Sequence, residues 1–541
     1  MCGIICLVQY DGKIDRERAA QCLDQLTPRG PDKKESVYID ASKDVEIYMG
    51  FARLAIMDTS DAGQQPFHEN GNHIICNGEI YNYKEIAAEF SIPLKTTCDC
   101  EILLPLYEKT CFITMVQNVL DAEFAMVLFD SKINTIYAAR DRYGVRPLYY
   151  GYNTKTKMIG FASELRALHN VMEFVEQVKP RMFLTLKTVD VDDVSQAITF
   201  VPYYDYKSLI GGSIRDEIDV IHENIRNKLI SAVQKRLYAD REIGFLLSGG
   251  LDSSLIVAIA TKLLGPENIV CFSIGVPGSP DVEAAKKVVE YLGIKQHHII
   301  PFSIEEGLES LPDVIKNIAT YDVTTVRAST PQFAMARKIK MTTNIRVLLS
   351  GEGSDEIHGS YRYFRDAPNK EVFHKERIRL TRELRMFDNQ RTDRIMAAWG
   401  LEVRCPFLDF EYVDYVMRLD PALFMYKPDY MEKKIVRDSF KGYLPDEILY
   451  RSKEAFSDAV SSSEVNWAKS IQELAEKNIT DQELADNKFV INRPRTKDAL
   501  YFRKMFNEFY PGRDNVIKHY WLPRFQKIEV LDPSARVLSS Y

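Results

Sequence analysis

The sequence predicts two halves of different fold class. Residues 2–205 read as an α+β half rich in antiparallel sheet. From 220 to 541 the chain reads as an α/β half on a parallel sheet that turns mainly helical beyond about residue 370. Three observations carry this. Up to about 205, short apolar or alternating runs recur between Gly, Asp and Asn turn signals, the texture of hairpins. Further on, strand-like runs alternate with helical patterns, the order that builds a parallel sheet covered on both faces. Between them YYDYKSLIGGSIRDE (203–217) follows neither pattern, and 206–219 is assigned as the linker.

Each element follows from its local pattern. In the first half the expected strands are CGIICLV (2–8), VEIYMGFARLAIMD (45–58), HIICN (73–77), FAMVLFD (124–130) and TIYAA (135–139). Helical patterns fall over 15–26 and ahead of Tyr107. In the second half Ile221, Ile225, Leu229, Val233 and Leu237 recur every four residues, one apolar face of a helix. IGFLL (243–247) is a strand that hands over, through a Gly turn, to a helix through Leu255, Ile256, Ile259 and Leu263. IVCFSIG (269–275) and IRVLL (345–349) are two more short, nearly continuous apolar strands.

Composition narrows the function classes. With 541 residues, 45% hydrophobic and 27% charged, the chain can bury sizeable cores and is not disordered throughout. A net charge of -7 argues against nucleic acid as a partner, and no apolar run approaches the roughly 18 residues that span a bilayer. Nine scattered cysteines match no disulfide framework, which points to a reducing, cytoplasmic setting. No basic residue precedes the short apolar stretch at the N-terminus, so a secretory signal peptide is not expected.

Cys2 follows the initiator Met. Once Met1 is removed, Cys2 carries a thiol and an α-amine, a nucleophile and a base on one residue. Taken alone it reads as an ordinary cysteine. RGPD (29–32) and NGEIYN (77–82) are turn chemistry, but together with MCGI at the start and RLAIMD (53–58) they resemble the glutaminase domain of class II amidotransferases. That resemblance implies an αββα N-terminal-nucleophile sandwich in which Cys2 attacks the glutamine side-chain amide and releases ammonia. It further implies the Asn77 side chain and the Gly78 N–H as oxyanion donors, and Arg53 on the substrate carboxylate. Leu54, Ala55, Ile56 and Met57 would form the glutamine loop, and Glu79 and Asp99 would hold the ammonium group. Cys98 and Cys100 flank Asp99 without the second ligand pair a zinc site needs, and read as packed thiols.

LLSGGLDSS (246–254) joins a strand to a helix through small residues, so Ser248, Gly249, Gly250, Asp252 and Ser253 form a phosphate cradle. It is neither a Walker A loop nor a dinucleotide fingerprint. VLLSGEGSDE (347–356) repeats the arrangement, and both loops should face one crevice beyond the carboxyl ends of their strands. Glu352, Asp355 and Glu356 crowd there, with Asp252 and Asp355 best placed to hold Mg²⁺.

The first of these loops is similar to the pyrophosphate loop of enzymes that split ATP into AMP and pyrophosphate. With FSIGVPGSPD (272–281), YDVTTVRASTP (321–331), AAWGLEVRCPFLD (397–409) and RSKEAFSDAV (451–460), nearly the whole chain resembles the glutamine-hydrolysing asparagine synthetases. The resemblance implies a second half like the adenine-nucleotide α-hydrolases, ATP as cosubstrate, and conversion of aspartate to asparagine through β-aspartyl-AMP. Leu246 and Ile274 would line the adenosine pocket, and Ser350 and Gly351 would contact the nucleotide. Arg327 and Lys453 would neutralise pyrophosphate, and Glu352 would be the base. An internal ammonia passage and a homodimer are also implied. Two other readings compete: a related ligase adenylating a different carboxylate, and a non-catalytic sensor of glutamine or nucleotide. His358, in a loop-like stretch, reads as a polar surface group.

Overall fold

The computed structural model describes residues 1–189, 191–427, 431–452, 461 and 466–525. Two compact units divide the chain. The first takes Met1–Asp205, Ala239–Arg241 and Ala397–Glu402; the second takes Tyr206–Tyr238, Glu242–Met396 and the described residues from Val403 on.

The first unit contains two six-stranded sheets. In one, Phe174–Gln177, Tyr149–Asn153, Met158–Ala162, Gly3–Tyr10, Val45–Arg53 and Lys33–Ser42 lie side by side, each pair antiparallel. In the other the order is Ile198–Pro202, Met182–Lys187, Thr135–Arg140, Ala122–Asp130, Asn72–Ile80 and Phe67–Glu69, also antiparallel. The inner faces share one core: Ile4, Cys6 and Val8 from the first sheet cluster with Ile75, Val127 and Phe129 from the second. The outer faces are covered by helices, Arg16–Asp24 on the first sheet, and Tyr83–Glu89 and Leu103–Lys109 on the second. This is the αββα sandwich. It also explains why Gly3–Tyr10 shows no alternation in its sequence, because all eight positions are buried, half against each layer.

The second unit has a five-stranded sheet in the order Gln296–Pro301, Val270–Gly275, Ile243–Leu246, Val347–Leu349, Glu402–Arg404. The first four are parallel. The order of connection reverses between Ile243–Leu246 and Val347–Leu349, which makes the carboxyl ends of those two strands the switch point where ligands of open α/β sheets collect. Both loops singled out in the sequence leave from there. The region beyond 370 is mainly helical as expected, and the short strand Glu402–Arg404 within it, at three residues, carries no periodicity to detect. The Ile218–Arg236 helix buries Ile221, Ile225, Leu229 and Val233 as expected. The 206–219 passage is pinned to the second unit, with the Gly212 and Ile214 N–H groups donating to Arg418 O at 2.9 and 3.1 Å. Among the described residues no helix is long and apolar enough to cross a membrane.

Candidate active sites

A cavity in the first unit is bordered by Cys2, Arg53, Leu54, Ile56, Met57, Asn77, Gly78, Glu79 and Asp99. Four separated segments therefore converge, and the RGPD turn assembles them. Arg29 Nε donates to the Cys2 carbonyl at 2.9 Å, and its Nη1 meets Glu164 at 2.9 Å, both side chains buried. Asp32 accepts from the Ala55 N–H at 2.9 Å, fixing the loop after Arg53. Gly30 passes so close beneath the neighbouring strand that a Cβ would stand 2.0 Å from Ala52 O. Gly30→Ala should therefore force backbone apart, costing about 1–3 kcal/mol or more. A thermal scan should show it as a lower unfolding midpoint together with weaker glutamine hydrolysis; an unchanged midpoint would refute the steric argument.

Cys2 Sγ lies 3.4 Å from the Leu54 N–H and 3.6 Å from Leu54 O. With Met1 still attached, burial pushes the thiol up to about 11, and burial draws the Met1 amine down to about 6. Asn77 is 1% exposed, and its Nδ2 has no hydrogen-bond partner among the described residues. A buried N–H without an acceptor costs about 1–3 kcal/mol, so a donor held this way suits an oxyanion that forms beside it. Gly78 is required by the sheet itself: a Cβ would stand 2.5 Å from Glu123 O on the adjacent strand. The Asp99 carboxylate accepts from the Ile80 N–H at 2.6 Å.

Arg53 differs from a bidentate clamp. Its guanidinium donates to the carbonyls of Met57, Asp58 and Ser60, so it shapes the loop as well as bordering the cavity. Ala55 lies off the cavity lining; its carbonyl accepts from Arg241 Nε at 2.9 Å.

The second unit holds a larger cavity bordered by Leu246, Ser248, Gly250, Asp252, Ser253, Ser350, Gly351, Glu352 and Asp355. The cradle is internally braced, with Ser253 Oγ accepting from the Ser248 N–H at 3.1 Å and Ser354 Oγ donating to Asp252 at 2.7 Å. The Leu251–Leu264 helix starts at the cradle, its N-terminal N–H groups and dipole favouring an anion there. Glu352 is gripped at both oxygens, by Arg391 Nη2 at 2.9 Å and by Gln332 Nε2 at 3.4 Å. Burial, then Asp388 and Asp355, raises Glu356 well above the carboxylate range, and it pairs with the Tyr361 hydroxyl.

Asp252 and Asp355 do come together, but around a lysine. Lys433 Nζ sits 2.6 Å from Asp252 Oδ2 and 2.6 Å from Asp355 Oδ1, and the residue is 3% exposed. The two carboxylates offer the hard oxygens Mg²⁺ needs, yet their shared face is taken by this ammonium, so as arranged they do not fit a resident metal. Among the described residues no group of three His, Cys, Asp or Glu could hold a metal ion.

Other expected residues lie elsewhere. Arg327 is not on the described lining of the cavity; its Nη2 is 2.6 Å from Asp498, both buried. Among the described residues the cations that border it are Lys433, Arg391, Arg437 and Arg451, and Arg451 also donates to Gly249 O at 3.3 Å. Gly249 and Ile274 lie outside the lining, and Lys453 lies outside the described residues. Lys433 and Arg391 come from stretches the sequence does not single out, and Arg451 opens the RSKEAFSDAV motif without being marked within it.

His358 is not at the surface. It is 1% exposed, with Nε2 3.0 Å from the Tyr412 hydroxyl, and burial drives its pKa well below the usual value. Unfolded histidine titrates near 6.5, so between that pH and the folded value the unfolded chain binds the extra proton. Stability is then greatest above about pH 6.5 and falls on acidification by about 1.4 kcal/mol per pH unit for each such group. His297 and His374, drawn to about 4 mainly by burial, add to that slope. His358→Gln should flatten the fall in unfolding midpoint between pH 7 and 5; an unchanged slope would exclude His358 as a source.

Comparison with known proteins agrees with this division. The chain matches the glutamine amidotransferase domain family over residues 1–214 and the asparagine synthase family over 224–385 and 365–523. It is 59% identical over 551 residues to a probable glutamine-hydrolysing asparagine synthetase of Acanthamoeba polyphaga mimivirus, covering 99% of this chain and 100% of that one. It is 37% identical to the glutamine-hydrolysing asparagine synthetases of Gallus gallus and Homo sapiens, over 568 and 569 residues, covering 100% of this chain and 99% of each. The chain belongs to the glutamine-hydrolysing asparagine synthetase family.

Proposed function

We propose that the chain converts aspartate to asparagine in two half-reactions. In the first cavity Cys2 Sγ attacks the side-chain carbonyl of glutamine. The oxyanion is met by Asn77 Nδ2 and the Gly78 N–H, ammonia leaves, and hydrolysis of the γ-glutamyl thioester returns glutamate. In the second, the aspartate β-carboxylate attacks the α-phosphorus of ATP and expels pyrophosphate, forming β-aspartyl-AMP. Ammonia then attacks the acyl carbon, Glu352 takes its proton, and AMP departs with the formation of asparagine.

The observation that carries the reading is that one chain holds both a cavity with nucleophile and unpartnered oxyanion donor and a cavity with phosphate cradle and gripped carboxylate. Leu246 faces the adenosine end in this reading, with Ser248, Gly250, Ser253, Ser350 and Gly351 along the phosphates. Lys433 and Arg451 are the cations near which charge develops on the leaving group. Mg²⁺ enters with the nucleotide, as Mg-ATP, because the Asp252–Asp355 face is already neutralised by Lys433. A cytoplasmic location accords with nine cysteines none of which forms a disulfide among the described residues. A homodimer is the expected assembly, to be checked by mass in solution.

The test follows the label. Protein with Met1 removal confirmed by intact mass is given Mg-ATP, aspartate and amide-¹⁵N glutamine. Labelled asparagine with stoichiometric AMP and pyrophosphate is expected. Glutamate without AMP would retain the first half-reaction and overturn aspartate as the acceptor.

A further inference from the structure

Beside Glu352, two buried polar groups are left incomplete on the same cavity. Gln332 and Arg391, 4% and 5% exposed, each hold one oxygen of the Glu352 carboxylate. Gln332 must turn its NH₂ toward that carboxylate, since the opposite flip would set oxygen against oxygen. Its Oε1 is therefore directed elsewhere, and it has no partner among the described residues. Arg391 spends Nη2 on Glu352 and on Asp388 at 2.9 Å, while Nη1 has no partner among the described residues. Buried polar atoms are almost always satisfied, and exceptions in a native structure call for an explanation. Here one exception is an acceptor and the other a charged donor, carried by the two side chains that hold the same carboxylate.

We infer that Gln332 and Arg391 form the acceptor subsite, Arg391 Nη1 donating to the α-carboxylate and Gln332 Oε1 accepting from the α-ammonium of an α-amino acid. The inference rests on the proposed function and deepens it by naming what recognises the acceptor. The arrangement explains why the acceptor must be zwitterionic. A dicarboxylate without the ammonium leaves Gln332 Oε1 unsatisfied and adds negative charge beside Glu352 and Asp388. An amine without the α-carboxylate leaves the arginine nitrogen buried and unpaired. A site built this way rejects analogues lacking either group, because it is the protein's own polar atoms that go unmet.

The experiment uses the full chain with ammonia supplied, so glutamine hydrolysis plays no part. Acceptor-dependent AMP release is measured with aspartate, with succinate, which lacks the ammonium, and with 3-aminopropanoate, which lacks the α-carboxylate. The two analogues are also tested as competitors of aspartate. Gln332→Met, close in volume, should lower kcat/KM for aspartate by about 10- to 100-fold and leave succinate and the KM for ATP unchanged. Arg391→Lys, which keeps the charge against Glu352 but loses the fork, should do the same for aspartate relative to 3-aminopropanoate. If all acceptors fall together, or the ATP KM moves in step, the subsite is wrong. Should the wild-type chain release no AMP with aspartate, the proposed function fails separately. Equilibrium titration then decides the subsite: aspartate bound by wild type and lost in Gln332→Met supports it, and equal binding by both overturns it.

Discussion

Replacing Cys2 by Ala is expected to lower glutamine-driven asparagine formation by about 10³-fold or more, the scale of loss when a covalent nucleophile is removed. Ammonia-driven formation should stay within about twofold, because effects at sites with no shared partners are close to independent. Among the described residues the two cavities have no lining residue in common. Three further thiols border the Cys2 cavity, Cys76, Cys98 and Cys100, and a rescue by one of them is the obvious objection. Cys98 is held well above the usual thiol range by burial, and Cys100 by its hydrogen bond with Cys76 and by burial, so neither supplies a thiolate at neutral pH. Neither has the α-amine that follows Met1 removal. A chain that keeps Met1 should therefore behave like Cys2→Ala, with the Cys2 nitrogen locked in an amide and unable to act as a base. Glutamate release and labelled asparagine, measured side by side, check both. Residual hydrolysis above about a thousandth of wild type would assign the chemistry to another thiol.

The contrast between Cys2 and the second cavity shows what a sequence makes legible. The strands behind both sites are short apolar runs bounded by turn residues, and their positions follow from pattern alone. Cys2, Asp99 and the two Ser-Gly loops sit at strand ends or turns, where residue type is restricted by backbone geometry, Asn77 lies within the Asn72–Ile80 strand, and the structure brings them to two cavities. Arg29 and Asp32 were legible only as turn chemistry; their work is to hold Cys2 and the Ala55 backbone in place. Gln332, Arg391 and Lys433 were not legible at all. They lie in polar or helical stretches with ordinary composition, and their role depends on which carboxylates tertiary packing sets against them. Arg327 shows the same limit in reverse. Its ion-pair partner, Asp498, is 171 residues away, and nothing local shows the pairing. His358 reads as a surface group because a five-residue helix carries too little periodicity to reveal a buried face.

Lys433→Met is expected to have the second large effect, on stability and adenylation together. The ammonium lies at hydrogen-bond distance from Asp252 and Asp355, which leave the ends of the two strands flanking the switch point. It is also held there by backbone: Lys433 adopts φ 56°, a left-handed conformation that a non-glycine residue keeps only when its surroundings fix it. Removing the charge leaves two carboxylates facing one another with side chains only 15–16% exposed. Breaking a buried pair by deleting one partner costs about 3–5 kcal/mol, since the remaining charge stays desolvated. Asp252→Asn added to Lys433→Met should return much of that stability, because it removes half of the uncompensated charge. It should not return AMP formation, which in the proposed mechanism needs a fixed cation beside the departing phosphates and is expected to remain depressed by about 10²-fold or more. Unfolding midpoints and aspartate-dependent AMP release, taken on the single and double variants, separate the two roles. If the double variant recovers both, Lys433 only balances charge. If it recovers stability alone, the lysine that holds the two carboxylates together also acts on the phosphates.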